Sequence, residues 1–96
     1  MAKATLILNL RDDRPNGVII AQRMHRLAEP TAAAPHGYVY QLHCGTRAGR
    51  TLVRFDNETG KGDHTRFGDA EQPYRFTTLE RLLADFETAI QPYLGD

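Results

Sequence analysis

Hydrophobic and polar positions alternate along the first half of the chain. Over residues 5–11, Leu6, Leu8 and Leu10 interleave with Thr5, Ile7, Asn9 and Arg11, and a period of two marks a half-buried strand. Asp12-Asp13-Arg14-Pro15-Asn16-Gly17 then gathers turn formers, with Asn16-Gly17 able to take positive φ at little cost. A second strand over 18–27 begins as an apolar run and turns polar at Arg23, His25 and Arg26, so the pair reads as a β-hairpin. Glu29-Pro30-Thr31-Ala32-Ala33-Ala34-Pro35 is a loop, because its prolines interrupt sheet or helix. A third strand over 37–44 sets Tyr38, Tyr40, Leu42 and Cys44 on one face and Val39, Gln41 and His43 on the other. After a turn at 45–49, a fourth strand over 50–56 carries Thr51, Val53 and Phe55 on one face. Its opposite face presents Arg50, Leu52, Arg54 and Asp56. Strands joined by short turns predict an antiparallel meander.

The second half changes period. Tyr74-Arg75-Phe76 reads as a short edge strand, where the preceding Pro73 is tolerable. Leu79, Leu82, Leu83, Phe86, Ala89, Ile90 and Tyr93 then fall at helical spacing, with Glu80, Arg81, Asp85 and Glu87 opposite them. Thr77 and Glu80 have capping-box spacing, and Pro92 weakens the far end. The predicted fold class is α+β: an antiparallel meander of four to five strands with one C-terminal helix packed on a face. A single domain over 1–96 suits a chain of 96 residues, which builds one modest core.

Composition narrows the setting. No apolar run approaches the roughly 20 residues of a membrane-spanning helix, and the N-terminus turns polar too soon for a signal peptide. The lone Cys44 allows no internal disulfide, which suits a reducing compartment. The expectation is a cytoplasmic protein with no membrane partner. A net charge of zero conceals an asymmetry: residues 1–66 hold ten Lys and Arg against six Asp and Glu, while residues 67–96 hold two against six. A basic sheet beside an acidic helix would offer nucleic acid a face; scattered solvated charge accounts for the same numbers.

Chemistry concentrates in residues 54–66, Arg54-Phe55-Asp56-Asn57-Glu58-Thr59-Gly60-Lys61-Gly62-Asp63-His64-Thr65-Arg66. Apolar side chains are nearly absent, so burial does not explain the segment. His64 is the natural proton shuttle. Lys61, Arg54 and Arg66 are cations suited to a phosphate, and the backbone of Gly60 and Gly62 can present N–H groups to an anion. Asp56 and Asp63 are placed to orient the histidine, Asp56 better, because adjacent side chains diverge. Tyr38, Tyr40 and His36 would stack or donate if the third strand faced the same side. These residue types suit a metal-independent ribonuclease, in which a base activates a 2′-hydroxyl, cations stabilise the phosphorane charge and an acid protonates the leaving oxygen. A solvated, salt-bridged turn that only fixes the loop is the plainer reading.

Other constellations carry less. Gly60-Lys61 is no P-loop, since Phe55 stands where a glycine is required and Gly62 follows the lysine. His36, His43, His64 and Cys44 show no zinc-type spacing, and neighbours His43 and Cys44 point to opposite faces. No metal or other cofactor is expected.

Four blocks of the chain resemble a known family: Gly37-Tyr38-Val39-Tyr40-Gln41-Leu42, then Arg54 through His64, then Tyr74-Arg75-Phe76, then Leu82-Leu83-Ala84-Asp85-Phe86. In order and spacing they are similar to the TumE family, small proteins regarded as the toxin of a bacterial and archaeal type II toxin–antitoxin pair. The blocks cover roughly residues 36–90, and Gly-Lys-Gly-Asp-His is the most specific. The family usually has a second histidine two residues after the first, where this chain has Arg66. The resemblance implies a toxin that restrains growth through RNA or translation and is neutralised by a cognate antitoxin. The candidate partners are that antitoxin, RNA or the ribosome, and a second copy of the chain. A non-catalytic module that binds nucleic acid or protein through a cationic loop is the alternative.

Overall fold

A computed structural model describes residues 4–57 and 62–95. Six strands form one antiparallel sheet in chain order: β1 (Ala4–Asp13), β2 (Val18–Leu27), β3 (Tyr38–Thr46), β4 (Thr51–Asp56), β5 (His64–Phe67) and β6 (Ala70–Pro73). One helix, α1 (Leu79–Ile90), follows and ends in a 3₁₀ turn over Gln91–Tyr93. The expected α+β meander is therefore present, with six strands in place of four to five.

The two additional strands corrected the reading of the central segment. His64 to Arg66, expected in a loop, belong to β5, and a Gly68-Asp69 turn leads to β6. Each of these strands is only four residues long, too short to show a period, and every residue of β6 is exposed. Tyr74 to Phe76 are not a strand. They run as a connector whose rings dock inward: Tyr74 lies 5.2 Å from Phe55, and its hydroxyl donates to Asp85 Oδ2 at 2.7 Å. Burial first, and then that hydrogen bond, push the Tyr74 hydroxyl pKa above its ordinary range.

Two local irregularities set which side chains share a face. A bulge between Leu6 and Leu8 breaks the alternation in β1, so Leu8 opposes buried Met24 whereas Leu6 opposes His25 on the other face. The three leucines of β1 therefore do not form one buried row, and Leu6 and Leu10 remain exposed. A second shift falls between Cys44 and Gly45 in β3, which extends two residues past its expected end. Gly45 is required there by close approach: a Cβ would meet the Arg50 carbonyl oxygen at 2.8 Å and the His43 ring at 2.7 Å.

The core lies under the helix. Leu82, Phe86 and Ile90 of α1 pack with Met24, Tyr40, Leu42, Cys44, Val53 and Phe55 from the sheet, with Phe55 and Phe86 meeting edge to face at 5.6 Å, a favoured aromatic geometry. Thr78 rather than Thr77 is the N-cap, its hydroxyl accepting from Arg81 N at 3.1 Å. Glu80 therefore sits at N2, and the N3 residue, Arg81, has no acceptor to return the second bond of a capping box. Tyr93 falls beyond the helix and is exposed. The C-terminal segment is tied to the first hairpin by Arg14 Nε donating to Leu94 O at 2.8 Å and Asn16 Nδ2 to Tyr93 O at 3.1 Å. The Pro/Ala loop is also tied down: Ala34 is buried and its N–H donates to Thr31 Oγ1 at 3.0 Å.

Leu82 is fully buried and Leu83 only partly so. Leu82→Ala and Phe86→Ala should each lower unfolding free energy by about 2–5 kcal/mol, and Leu83→Ala by less. Thermal unfolding of the three variants checks this, and equal losses would contradict the helix orientation.

Candidate functional site

Strand alternation divides the chemistry of the central segment between two faces of the sheet. Opposite the helix, the pairing register lines up two rows of side chains that each cross all six strands. One row is Arg11, Ala21, His43, Arg54, Arg66 and Glu71, and the other is Asn9, Arg23, Gln41, Asp56, His64 and Pro73. Arg54 stands directly across from Arg66, and Asp56 directly across from His64.

His64 is the centre of this face. Its Nδ1 lies 3.1 Å from the Gly62 carbonyl oxygen, and its Nε2 lies 3.0 Å from Asp56 Oδ1 and 3.8 Å from Glu71 Oε1. Gly62 holds that carbonyl in place with φ +81°, a conformation that favours glycine. The Asp56 contact is short but not angled as a hydrogen bond, so among the described residues Oδ1 is a buried acceptor without a directed donor. Both ring nitrogens face oxygen acceptors, and only the doubly protonated ring donates to both. Asp56 is 3% exposed, whereas the Glu71 side chain is 40% exposed. A shallow cleft of about 270 Å³ opens beside His64, Glu71 and Gln72.

The cations are close by. Arg54 Nε lies 3.9 Å from Asp56 Oδ2 and is a buried donor without an acceptor among the described residues, and Arg66 Nε donates to Gly68 O at 3.1 Å. The expected contributions of Lys61 and Gly60 lie outside the described residues.

Asp63, expected beside His64, faces the opposite way. Its Oδ2 accepts from the Tyr40 hydroxyl at 2.5 Å and from His36 Nε2 at 2.8 Å. His36 Nδ1 accepts from Tyr38 N at 3.2 Å, which fixes Nε2 as the protonated nitrogen. The His36 ring stacks on Phe76 at 3.9 Å and Tyr38 packs against the same ring at 5.9 Å. Tyr40 is fully buried on the helix side, and burial, then the Asp63 hydrogen bond, raise its hydroxyl pKa well above the ordinary tyrosine value. Tyr40 therefore offers no ring to a nucleobase, and Tyr38 is on the face away from His64. Asn57 completes the clamp by accepting from Tyr40 N at 3.0 Å and donating to Tyr38 O at 2.8 Å. This cluster fixes the geometry of the segment.

Glu71 and Arg23 are residues of the open face that the chain's pattern does not single out, and it places His43 only by strand alternation. Glu71 sits in an exposed strand with no apolar alternation, and Arg23 reads as ordinary surface charge. The only sequence signal was the alternation of β3 and β4, which assigns His43, Arg54 and Asp56 to one face once a partner strand is known. Among the described residues, no three His, Cys, Asp or Glu side chains are arranged to hold a metal ion.

Fold and site define a small α+β protein with an imidazole–carboxylate cluster flanked by arginines on an uncovered sheet face. The family model described as Toxin TumE matches residues 4–94. The chain belongs to the TumE toxin family. Neither a curated protein nor a solved structure matches it. Among the described residues no helix is long and apolar enough to cross a membrane.

If the Asp63 cluster is structural, Tyr40→Phe should cost about 1 kcal/mol of stability by removing one hydrogen bond. Asp63→Ala should cost more, because it leaves the Tyr40 hydroxyl and His36 Nε2 without their acceptor. Chemical denaturation compares the two; a neutral Asp63→Ala would mean the clamp contributes nothing.

Proposed function

We propose that this TumE-family toxin acts in the cytoplasm by cleaving RNA on the helix-free face and is neutralised by a cognate antitoxin. The observation that carries the reading is the His64–Asp56–Glu71 cluster between Arg54 and Arg66. His64 is the acid in this reading, with Nε2, 3.0 Å from buried Asp56, as the proton donor. Exposed Glu71 is the base. Glu71 takes the proton of a ribose 2′-hydroxyl, the 2′-oxygen attacks phosphorus, and the P–O5′ bond breaks as His64 protonates the departing oxygen. The products are a 2′,3′-cyclic phosphate and a free 5′-hydroxyl. Arg54 and Arg66 stabilise the negative charge that accumulates on the phosphoryl oxygens. A carboxylate base and an imidazolium acid of this kind need no metal ion for the proton transfers.

A second reading has its own support: both His64 nitrogens are engaged by protein acceptors, as in a histidine that builds a cationic binding surface. The two readings predict different variants. Under cleavage, His64→Ala and Glu71→Gln should each lower the cleavage rate of a purified oligoribonucleotide about 10²–10⁴-fold while leaving the fold unchanged. His64→Lys should not restore it, because a lysine ammonium is a far weaker acid than an imidazolium and cannot protonate the departing oxygen effectively near neutral pH. Mapping the 3′ ends for cyclic phosphate identifies the chemistry. A growth-inhibiting, folded His64→Lys protein without nuclease activity would establish the binding reading instead.

A further inference from the structure

The open face extends away from His64 into a groove between β1 and β4 of about 340 Å³. Asn9, Arg11, Arg23, Gln41, His43 and Arg54 contribute to its lining, and among the described residues no Asp or Glu does. Arg11 meets Asp13 at 3.3 Å, with both side chains largely exposed. Arg23 makes no ion pair among the described residues. Arg54 brings to the wall of the groove a buried Nε that lies 3.9 Å from Asp56 and has no hydrogen-bond acceptor among the described residues. Gathering three guanidinium groups in one concavity without a lining carboxylate creates a positive potential that favours a polyanion. The His43 ring reports that field: its pKa is lowered first by burial and then by Arg54 across the strand.

We propose that this groove is a second phosphate subsite, which holds the backbone of a single-stranded RNA whose scissile phosphate lies at His64. The proposal deepens the cleavage reading and rests on it for the position of the scissile bond. Geometry favours one continuous strand: Arg23 and His64 share a row, as do Arg11, Arg54 and Arg66. Neighbouring strands stand about 4.8 Å apart, so Arg23 and Asp56, two strands apart in that row, are separated by roughly 10 Å. The side-chain amides of Asn9 and Gln41 lie along the same path, where they can meet base edges. The aromatic residues Tyr38, Tyr40 and Phe55 belong to the helix side, so the face has no stacking platform from them. Binding there is electrostatic, tolerant of sequence and sensitive to salt.

The test pairs two RNA probes. A 2′-O-methyl oligoribonucleotide of about ten nucleotides offers no nucleophile and measures binding; a ribodinucleotide, too short to reach from His64 into the groove, measures cleavage. Arg23→Glu and Arg11→Glu should each weaken the oligonucleotide by roughly tenfold and reduce the magnitude of the log K against log salt slope by about 0.7 or more. Both should leave dinucleotide cleavage unchanged. Arg75→Glu, an exposed cation in the connector before α1, is the charge-matched control and should leave oligonucleotide affinity near wild type. Unchanged oligonucleotide affinity in both groove variants would overturn the subsite, and so would an equal loss in Arg75→Glu. Binding of poly-glutamate in preference to the oligonucleotide would also overturn it, assigning the groove to an acidic protein. Failure of the wild-type protein to cleave the dinucleotide removes the catalytic reading, while the oligonucleotide measurement still decides the groove.

Discussion

The structure depends on one helix covering one face of a sheet. Leu82, Phe86 and Ile90 bury against Val53, Phe55, Leu42 and Tyr40, and no described helix covers the opposite side. The apolar residues of the central strands are therefore committed to a single layer. Because successive side chains point to opposite faces, committing Val53 and Phe55 to the core leaves Arg54 and Asp56 on the open face. The polar face and the core are two consequences of the same packing.

That alternation also separates residues that are neighbours in sequence. Asp63 and His64 are consecutive, yet Asp63 joins Tyr40 and His36 while His64 faces Asp56. The first cluster secures the segment to β3, with Asn57 bracing Tyr38 and Tyr40 through their backbone. The second borders the shallow cleft beside Glu71. Buried Tyr40 and the stacked pair His36 and Phe76 thus serve the site by fixing Asp63, and with it the point at which β5 begins.

Arg66 acquires a clear place from this arrangement. It lies two residues from His64 and on the same face, directly across from Arg54. It sets a permanent cation beside His64 on that face. In the cleavage reading this position serves charge stabilisation, and the exposed carboxylate of Glu71 across β5–β6 supplies the base.

The sequence by itself determined the strands long enough to display a period, the helix with its apolar stripe, and the concentration of chemistry around His64. Leu79 to Ile90 could be read because helical spacing repeats over three turns, and β3 and β4 because each alternates over several residues. It also singled out Asp56 as the better partner for His64, since Asp63 is adjacent in the chain and adjacent side chains diverge. Only the tertiary structure decided the rest. Strands β5 and β6 are four residues each and are specified by pairing rather than by pattern. The bulge at Ile7 turns Leu6 away from the core without any local signal in the leucine spacing. Glu71 comes to His64, and Arg23 and Arg11 come into line with Arg54, through strand register. Register arises from how whole strands bury their faces against one another, and a residue's own neighbours in the chain do not contain that information.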